Sequence, residues 1–540
     1  MSAAAVTVAL LLSFAPPPTF VAPPAPAKEG AEEVPAEGRA EAEVAVDRTQ
    51  RGVETPAAAA TRRAQASQAQ ADARTADSAE GPARAAPLEL GEVLGSVAEH
   101  DPRLEAAERK REGARGKAMA ARGAFDPKLA ARGLIQPLSY YQHGLVDVKV
   151  TQATPLWGLG VWAGWRVGAG DFAVYDGKLL TASGGELRAG ASLPLWQGGP
   201  TDEARTERRV ADLEVARQDA ERDAKSLELQ LKATKAYWDW VAAGQRLEVA
   251  EQLLEIAETR DVGLRRQIDL GAVEAIVGVD NRRTILSRRG KVVKETRSFQ
   301  KATLKLSLFL RDGEGEPVLA GRERVPVLPA SVWAGDVPEI EVPLSPTSDE
   351  IEQAIANRPD IQALLQVREQ KVAELRWARN QIAPRVDVSA WVAKDLGEGV
   401  ESLLPPEVAA TIELELPIPM RKARGKARTA RAELQRVEAQ LRLARNEVAM
   451  EIGDAHSALV AAHAQLELRA EQHDLARQLS EAELRRFELG DSDLLRVNLR
   501  ELAVAEAAAQ EVSAWAELHQ ARAALDVSLG RPVGPEASGD

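Results

Sequence analysis

The chain contains the same structural unit twice, and this internal repeat constrains its fold more than any other feature. Pro102 is matched by Pro359 and Pro127 by Pro384, and both pairs are 257 positions apart. Two prolines that keep one spacing on either side of a helix-length segment are hard to obtain by chance. The sequence therefore predicts two copies of one supersecondary unit.

Each copy has the same order of predicted elements. A helix and a proline precede a β segment, and a Leu-Pro-Leu or Leu-Pro-Ile tripeptide leads into a very long helix, a Leu-Gly pair and a return helix. In the first copy, residues 88–312, the β segment, long helix and return helix span about 129–197, 202–270 and 272–310. In the second copy, residues 346–530, they span about 385–417, 421–489 and 492–529, and residues 313–345 link the copies.

The β segments are predicted from the alternation of apolar and polar residues. Val146, Val148 and Val150 alternate with polar residues, and Ile412 and Leu414 do the same. Eight of the 21 aromatic residues lie between positions 130 and 200, which favours a membrane-interface girdle around a wet lumen. The alternative is a soluble sheet with one buried face. The girdle candidates are Tyr140, Tyr141, Trp157, Trp162, Trp165, Trp196 and Trp391.

The two β segments differ in length. Pro127 and Pro194 are 67 positions apart, whereas Pro384 and Pro417 are only 33 apart. The first copy must therefore carry either a longer loop or an additional hairpin.

The predicted long helices have no internal proline and would each extend for roughly 100 Å. On the second, apolar positions recur at steps of three and four residues, which predicts a seam packed like a coiled coil. The seam consists of Leu434, Val437, Leu441, Ala444, Val448, Ile452 and Ala455.

The first 87 residues differ in composition from the rest of the chain. Residues 1–22 contain a short apolar run followed by prolines, which predicts a signal peptide, although no basic residue precedes the run. A disordered apolar tail is the alternative. Residues 23–87 are rich in Ala, Pro and Glu and predict a disordered linker, and residues 531–540 predict a flexible tail.

Composition excludes several kinds of function. The chain has no cysteine, which rules out disulfides, thiolate metal sites and a lipid-modified cysteine. A net charge of −13 argues against a nucleic-acid partner. No nucleophile–base pair, phosphate loop or cofactor motif occurs, so we expect neither an enzyme nor a cofactor. His456 and His463 lie seven positions apart on one predicted helix, but two histidines without a third ligand make a poor metal site.

The predicted strands are too few to close a barrel within one chain. Four strands with an apolar outer face would leave two open edges, and the smallest membrane barrels need about eight strands. A cyclic oligomer removes both edges. The sequence therefore predicts a homo-oligomeric tube with long helices projecting from its strands.

From about residue 88 to residue 530 the chain resembles the TolC-like outer-membrane efflux and secretion channels of Gram-negative bacteria. The resemblance depends on short motifs that occur in the same order in the two copies. These motifs are Asp101-Pro102 and Arg358-Pro359, Pro127 and Pro384, Leu416-Pro417-Ile418, and Phe487-Glu488-Leu489-Gly490-Asp491. It implies a mainly α fold with a small β part. It also implies a homotrimer that forms a twelve-stranded transmembrane β-barrel and a periplasmic α-helical barrel.

The resemblance also implies a function, an exit duct in the outer membrane. Such a duct is a passive conduit of a tripartite efflux or type I secretion system. It contacts outer-membrane lipid and couples through a periplasmic adaptor (membrane fusion) protein to an inner-membrane pump or ABC exporter. The alternative is a soluble periplasmic coiled-coil protein with a structural or tethering role, for which the alternating β segments would have no use.

The resemblance further implies that the helix reversals after the two Leu-Gly pairs form the closed periplasmic entrance. Aspartates that ring the pore in the family lie six and nine positions after the second glycine, where this chain has Arg496 and Leu499, so that ring does not carry over. Asp491 can instead cap the following helix. The entrance candidates are Gly271, Asp280, Gly490, Asp491, Asp493 and Arg496.

Overall fold

The structure is a computed structural model, and it describes residues 86–172, 179–327, 346–399, 401–403 and 405–534. The predicted signal peptide, almost all of the predicted linker 23–87, residues 328–345 of the inter-repeat segment and residues 535–540 of the tail lie outside this part of the chain.

The described residues form eight α-helices and six β-strands, with short 3-10 turns between some of them. The helices are α1 Leu90–His100, α2 Pro102–Arg122, α3 Glu203–Asp269, α4 Ala275–Leu306, α5 Ser348–Asn357, α6 Pro359–Asn380, α7 Arg421–Glu488 and α8 Leu494–Ser528. The strands are β1 Lys128–Gln136, β2 His143–Ala153, β3 Gly160–Gly170, β4 Glu186–Pro194, β5 Arg385–Asp395 and β6 Glu407–Glu415. The fold is therefore mainly helical with a smaller strand part, as the sequence predicts.

The two copies of the unit have matching helices. Pro102 and Pro359 occupy the first positions of α2 and α6, where a proline loses no helical hydrogen bond. Helices α3 and α7 contain 67 and 68 residues and are each about 100 Å long. Helix α3 packs against α2, α4, α6 and α8, and α7 packs against α6 and α8. Among the described helices, none is both long and apolar enough to cross a membrane.

The strands form one antiparallel sheet in the order β1-β2-β3-β4-β5-β6. The two copies join within it, since Glu186 of β4 pairs with Asp395 of β5 and Pro194 with Asp387. The first copy contributes four strands and the second copy two, so its longer β segment contains an additional hairpin.

The sheet has more strands than the predicted twelve-stranded trimeric barrel needs from each chain. Twelve strands from a trimer require four strands in each chain, but the sheet has six. Length alone did not distinguish a loop from a hairpin in the first copy, and the twelve-strand expectation came from the family resemblance.

The largest apolar core surrounds the middle of α3. Trp240 and Val241 are buried there against α1, α4 and the segment that follows α4. The hydroxyl of Tyr237 donates a 2.8 Å hydrogen bond to the carbonyl oxygen of Leu88, which fixes the first described residues to α3. A second cluster buries Val448 and Ile452 of the predicted α7 seam against α5 and α6.

Candidate functional site

The sheet has one apolar face and one charged face. Along β2, Val146, Val148 and Val150 lie on one side, and Asp147 and Lys149 lie on the other, because successive side chains of a strand alternate. The cross-strand register keeps this separation through all six strands, except that Lys394 lies on the apolar face near the end of β5 that is away from the helices. The side chains on the charged face that carry charge are Lys128, Arg132, Asp147, Lys149, Arg166, Glu186, Arg188, Arg385, Asp387, Asp395, Glu407, Glu413 and Glu415.

The apolar face is exposed to an unusual degree. Ile135 of β1 is 80% exposed and Ile412 of β6 is 74% exposed, and Leu129, Val408 and Leu414 are similarly uncovered. A contiguous apolar surface of this size marks an interaction with lipid or with another protein.

The charged face carries paired side chains. Arg188 donates a 2.7 Å hydrogen bond to Asp147, and Arg166 lies 2.5 Å from Glu186. The ammonium of Lys149 sits 4.2 Å from the centroid of the Trp162 ring, a cation–π contact. A face with this many ionised groups suits contact with water.

The predicted aromatic girdle residues divide between the faces and ends of the sheet. By the alternation along the strands, Trp165 lies on the apolar face, whereas Trp162 and Trp391 lie on the charged face. Gly190 pairs with both of these residues, and the Trp162 ring lies over it. A Cβ at Gly190 would come within 2.8 Å of that ring. Trp162 and Trp391 therefore do not lie on the face that the girdle interpretation needs.

The other aromatic candidates lie in connections at the two ends of the sheet. Tyr140 and Tyr141 are in the β1–β2 connection, at the end away from the helices, and their rings meet edge to face at 4.9 Å. Trp157 in the β2–β3 connection and Trp196 after β4 are at the helical end, and both are exposed. Aromatic residues thus flank the apolar face at both ends.

The helix reversals at the far ends of α3 and α7 have the same geometry. Gly271 and Gly490 adopt φ angles of +74° and +79°, which only glycine accepts without strain. In each reversal two backbone hydrogen bonds of 2.9 to 3.0 Å satisfy the last carbonyls of the long helix. We call residues 270–274 and 489–493 the two tips.

The acidic candidates near the tips pair with arginines close by in the chain. Asp493, not Asp491, caps α8: its side chain accepts a 2.8 Å hydrogen bond from the Arg496 backbone N–H. The cap predicted for Asp491 is therefore wrong, because the helix begins at Leu494 and Asp493 is the residue directly before it. Asp491 instead lies 3.2 Å from Arg486.

The remaining two entrance candidates also form ion pairs. The Arg496 side chain approaches Asp493 at 3.6 Å, and both groups are exposed. Asp280, in the second turn of α4, lies 3.0 Å from Arg283. Each candidate acid thus has a cationic neighbour in its own chain.

A polar cluster that the sequence analysis missed joins the two copies near the tips. Arg260 of α3 and Arg288 of α4 both contact Glu501 and Asn498 of α8. Arg288 also donates a 2.7 Å hydrogen bond to the carbonyl oxygen of Leu253. The partners are more than 200 positions apart in the chain, so no local motif could have identified them.

The histidine pair considered as a weak metal site offers no ligand cluster. His456 is buried, and His463 lies 3.8 Å from Glu467. Over the described residues, no group of three or more His, Cys, Asp or Glu side chains is placed to hold a metal ion.

Comparison with known proteins identifies the architecture. Residues 351–531 match the family model described as outer membrane efflux protein. No curated protein sequence matches the chain. Similar solved structures include the CmeC outer membrane channel of Campylobacter jejuni, with a TM-score of 0.57 and 14% identity over 84% of this chain and 87% of that one.

Two further structures agree. The outer membrane protein VceC of Vibrio cholerae has a TM-score of 0.56 and 18% identity over 82% of this chain and 96% of that one. The open MtrE outer membrane channel of Neisseria gonorrhoeae has a TM-score of 0.56 and 17% identity over 84% and 91%. The resemblance and the fold class predicted from the sequence are thus confirmed, and the matches are to channels rather than enzymes. The chain has the fold of outer-membrane efflux channels, and its residues 351–531 are similar to the outer membrane efflux protein family.

Proposed function

We propose that the chain forms the outer-membrane exit duct of a tripartite efflux or type I secretion system. The duct is a homotrimer and a passive conduit. A periplasmic adaptor protein couples it to an inner-membrane pump or ABC exporter. The signal peptide predicted at residues 1–22 would direct the chain out of the cytoplasm.

The two-faced sheet is the observation that carries this proposal. Its exposed apolar face, which includes Ile135 and Ile412, suits the hydrocarbon of a membrane. Its opposite face holds paired charges such as Asp147 and Arg188, which suit a water-filled lumen. Aromatic residues at both ends of the apolar face, among them Tyr140 and Trp157, suit the two membrane interfaces.

The tips are the proposed periplasmic entrance. Helices α3 and α7 separate them from the sheet by about 100 Å. With the sheet in the outer membrane, the helices extend into the periplasm, and the tips are the part nearest the inner membrane. Gly271, Gly490 and the neighbouring charged side chains of Asp280, Asp491 and Arg496 would then surround the narrow end.

The structural or tethering coiled coil is the less favoured candidate. A tether needs long helices such as α3 and α7, but it has no use for a sheet with a large uncovered apolar face. Such a face in water would promote aggregation.

The proposal is tested by location, assembly and conductance. The full chain is produced in a Gram-negative host, membranes are separated by density, and the protein is extracted in mild detergent. We expect it in the outer-membrane fraction, as a species with three times the chain mass that forms pores in planar bilayers. A water-soluble monomer or dimer without detergent would contradict the proposal.

Two neighbouring positions on β6 provide a matched control. Ile412 lies on the apolar face and Thr411 on the charged face, and both are exposed. A charged side chain in contact with lipid at the bilayer centre costs about 2–4 kcal/mol. Ile412→Lys should therefore lower the yield of membrane-inserted protein, whereas Thr411→Lys should not. Equal yields from the two variants would mean that the apolar face does not contact lipid.

A further inference from the structure

Both edge strands of the sheet are open. The side chains of β1 and β6 are almost all exposed on both faces of the sheet. An unpaired edge strand exposes backbone N–H and C=O groups, which cannot remain unsatisfied in a membrane. Each edge therefore requires a pairing partner.

The two edges carry opposite charges on the same face. On the charged face, β1 presents Lys128 and Arg132, and β6 presents Glu413 and Glu415 near the same end of the sheet. Among the described residues of the chain, neither Lys128 nor Arg132 has an ion-pair partner, whereas Glu413 and Glu415 share the single nearby cation Arg385. On the apolar face both edges continue the same surface, with Leu129 on β1 and Leu414 on β6. The two edges are thus complementary to each other on both faces, which identifies a second copy of this chain as the partner.

The register of the sheet defines how the edges can meet. At the helical end, neighbouring strands finish within two residues of each other, as when Arg385 pairs with Glu415. The same rule applied between copies sets Glu415 of β6 opposite Lys128 of the next copy's β1. These strands are antiparallel, and this pairing keeps charged side chains on one face and apolar ones on the other.

The stagger across the sheet agrees with a closed barrel. Following the paired residues from β1 across the sheet to β6 leads from Lys128 to Ala409. Ala409 lies six residues before Glu415 on β6. With Glu415 opposite Lys128, each copy adds six residues of stagger over six strands. One residue per strand is the ratio that tilts the strands of eight-stranded barrels by about 36°, within the range of membrane barrels.

We propose that β6 of each copy pairs with β1 of the next, Glu415 opposite Lys128, and that three copies close an eighteen-stranded barrel. The inference rests on the proposed outer-membrane trimer and adds its strand number, its register and its bore. Because barrel diameter grows roughly linearly with strand number, this barrel is about 1.5-fold wider than one of twelve strands. Barrels of 16–18 strands leave an open aqueous channel.

The additional width comes from one hairpin, β2 and β3 together. In the repeat, β1 corresponds to β5 and β4 to β6, which leaves residues 143–170 as the insertion. The ends of this insertion meet, because the backbone N–H of Asp171 donates a 2.9 Å hydrogen bond to the carbonyl oxygen of Gln142. Excision would allow these ends to be joined directly, and β1 and β4 are antiparallel and so able to pair.

Disulfide trapping tests the edge pairing, and the absence of native cysteine makes it unambiguous. In the proposed register Ala131 of β1 lies opposite Ile412 of the adjacent β6, both on the apolar face. Oxidation of the full-length Ala131→Cys/Ile412→Cys variant in membranes should produce covalent dimers and trimers on denaturing gels. The matched control, Ala131→Cys/Thr411→Cys, places the second thiol on the other face and should remain monomeric.

Two other results of trapping would overturn the register. A crosslink from Ala131→Cys to Ala410→Cys or to Leu414→Cys instead would mean that the edges pair two residues away from the proposed position. Trimers without any crosslink between β1 and β6 would overturn the edge pairing while leaving the proposed function intact. If the unmodified chain formed no trimer at all, the proposed function itself would be contradicted.

Excision of the hairpin tests the bore. The variant lacking residues 143–170 should still be a trimer, and the largest poly(ethylene glycol) that enters from the sheet side should shrink by about a third in radius. An equally long deletion of residues 40–67, outside the described part of the chain, is the control and should leave the cut-off unchanged. A trimeric excision variant with the parental cut-off would overturn the proposal, and crosslinking still tests the pairing if excision prevents assembly.

Discussion

Arg288 of α4 donates a 2.9 Å hydrogen bond to Glu501 of α8, although the two residues are 213 positions apart in the chain. The Arg288 side chain is only 5% exposed, and Arg260 contacts the same carboxylate from α3. Glu501 thus joins the helix pair of the first copy to the return helix of the second copy. The contact lies about two turns from the tip at Asp493, so it joins the helices that carry the two tips.

We predict that Arg288→Ala lowers the free energy of unfolding by about 3 kcal/mol. Removal of one partner from a buried, hydrogen-bonded ion pair leaves the other charge only partly compensated. The matched control is Arg289→Ala, because that side chain is 52% exposed and pairs with the exposed Glu258. Exposed ion pairs contribute less than about 1 kcal/mol. Denaturant unfolding of the detergent-solubilised protein, followed by helical circular dichroism, gives both values. Equal losses in the two variants would show that the buried cluster has no special role.

The two tryptophans of β3 provide a test of the faces of the sheet. Trp162 lies on the charged face beside Lys149, and Trp165 lies on the apolar face. In liposomes, the tryptophan fluorescence can be quenched by iodide from the water and by brominated lipid from the membrane. Trp162→Phe should reduce the fraction that iodide quenches, and Trp165→Phe should reduce the fraction that brominated lipid quenches. The reverse result would mean that the charged face contacts the membrane.

Glu214 provides a test of pH dependence outside the sheet. Hydrogen bonds from Arg217 hold the pKa of this carboxyl at about 2, although partial burial opposes the shift. Gln370 of α6 adds a 3.0 Å hydrogen bond, which ties the second copy to α3. Because the folded-state pKa is below the unfolded value near 4.5, the stabilisation is present above pH 4.5 and is lost as the pH falls towards 2.

Glu214→Gln should therefore destabilise the protein at pH 7 by on the order of 2 kcal/mol. Its melting temperature should also fall less steeply than the parental one between pH 5 and pH 3. Glu207→Gln, an exposed position on the same helix, is the control and should follow the parental curve. A parental pH profile in Glu214→Gln would show that this carboxyl does not contribute to acid sensitivity.

The parts of the fold that local signals specify could be predicted from the sequence. Pro102 and Pro359 mark helix starts, and Gly271 and Gly490 mark reversals, because each residue type has backbone preferences that act within a few positions. The alternation at Val146–Val150 likewise identified β2 and its two faces.

The additional hairpin could not be assigned in advance. Strand β3 reads Gly-Val-Trp-Ala-Gly-Trp-Arg-Val-Gly-Ala-Gly, and its four glycines and two alanines weaken the apolar alternation that reveals a strand. Gly164 and Gly168 are nonetheless required there, since a Cβ at either would collide with a neighbouring backbone oxygen. Composition alone did not separate such a strand from a loop.

Side-chain placement across the sheet and between the copies also needed the structure. The assignment of Trp162 and Trp391 to the girdle relied on residue type, whereas their parity sets them on the charged face. The cluster of Arg260, Arg288 and Glu501 is formed by three helices whose relative rotation no sequence period specifies.

At the second tip, Arg496 approaches Asp493 at 3.6 Å and Arg486 approaches Asp491 at 3.2 Å. In the proposed trimer, three copies of both aspartates surround the entrance, and their repulsion is relieved by these arginines. Each exposed contact contributes no more than about 1 kcal/mol. Three acting together can bias a gate between two nearly balanced states, since each 1.4 kcal/mol is about tenfold in population.

We therefore expect Arg496→Ala to raise the open fraction in single-channel recordings, while Arg500→Ala, one turn further along α8 and also exposed, does not. Asp491→Asn/Asp493→Asn should weaken cation selectivity. Asparagine caps a helix about as well as aspartate, so this variant removes charge without removing the cap on the Arg496 backbone N–H. Its helical content and melting temperature should therefore match those of the parent. Parental conductance and selectivity in both variants would mean that the tip acids act only in the local structure of the reversal and that the constriction lies elsewhere along the helices.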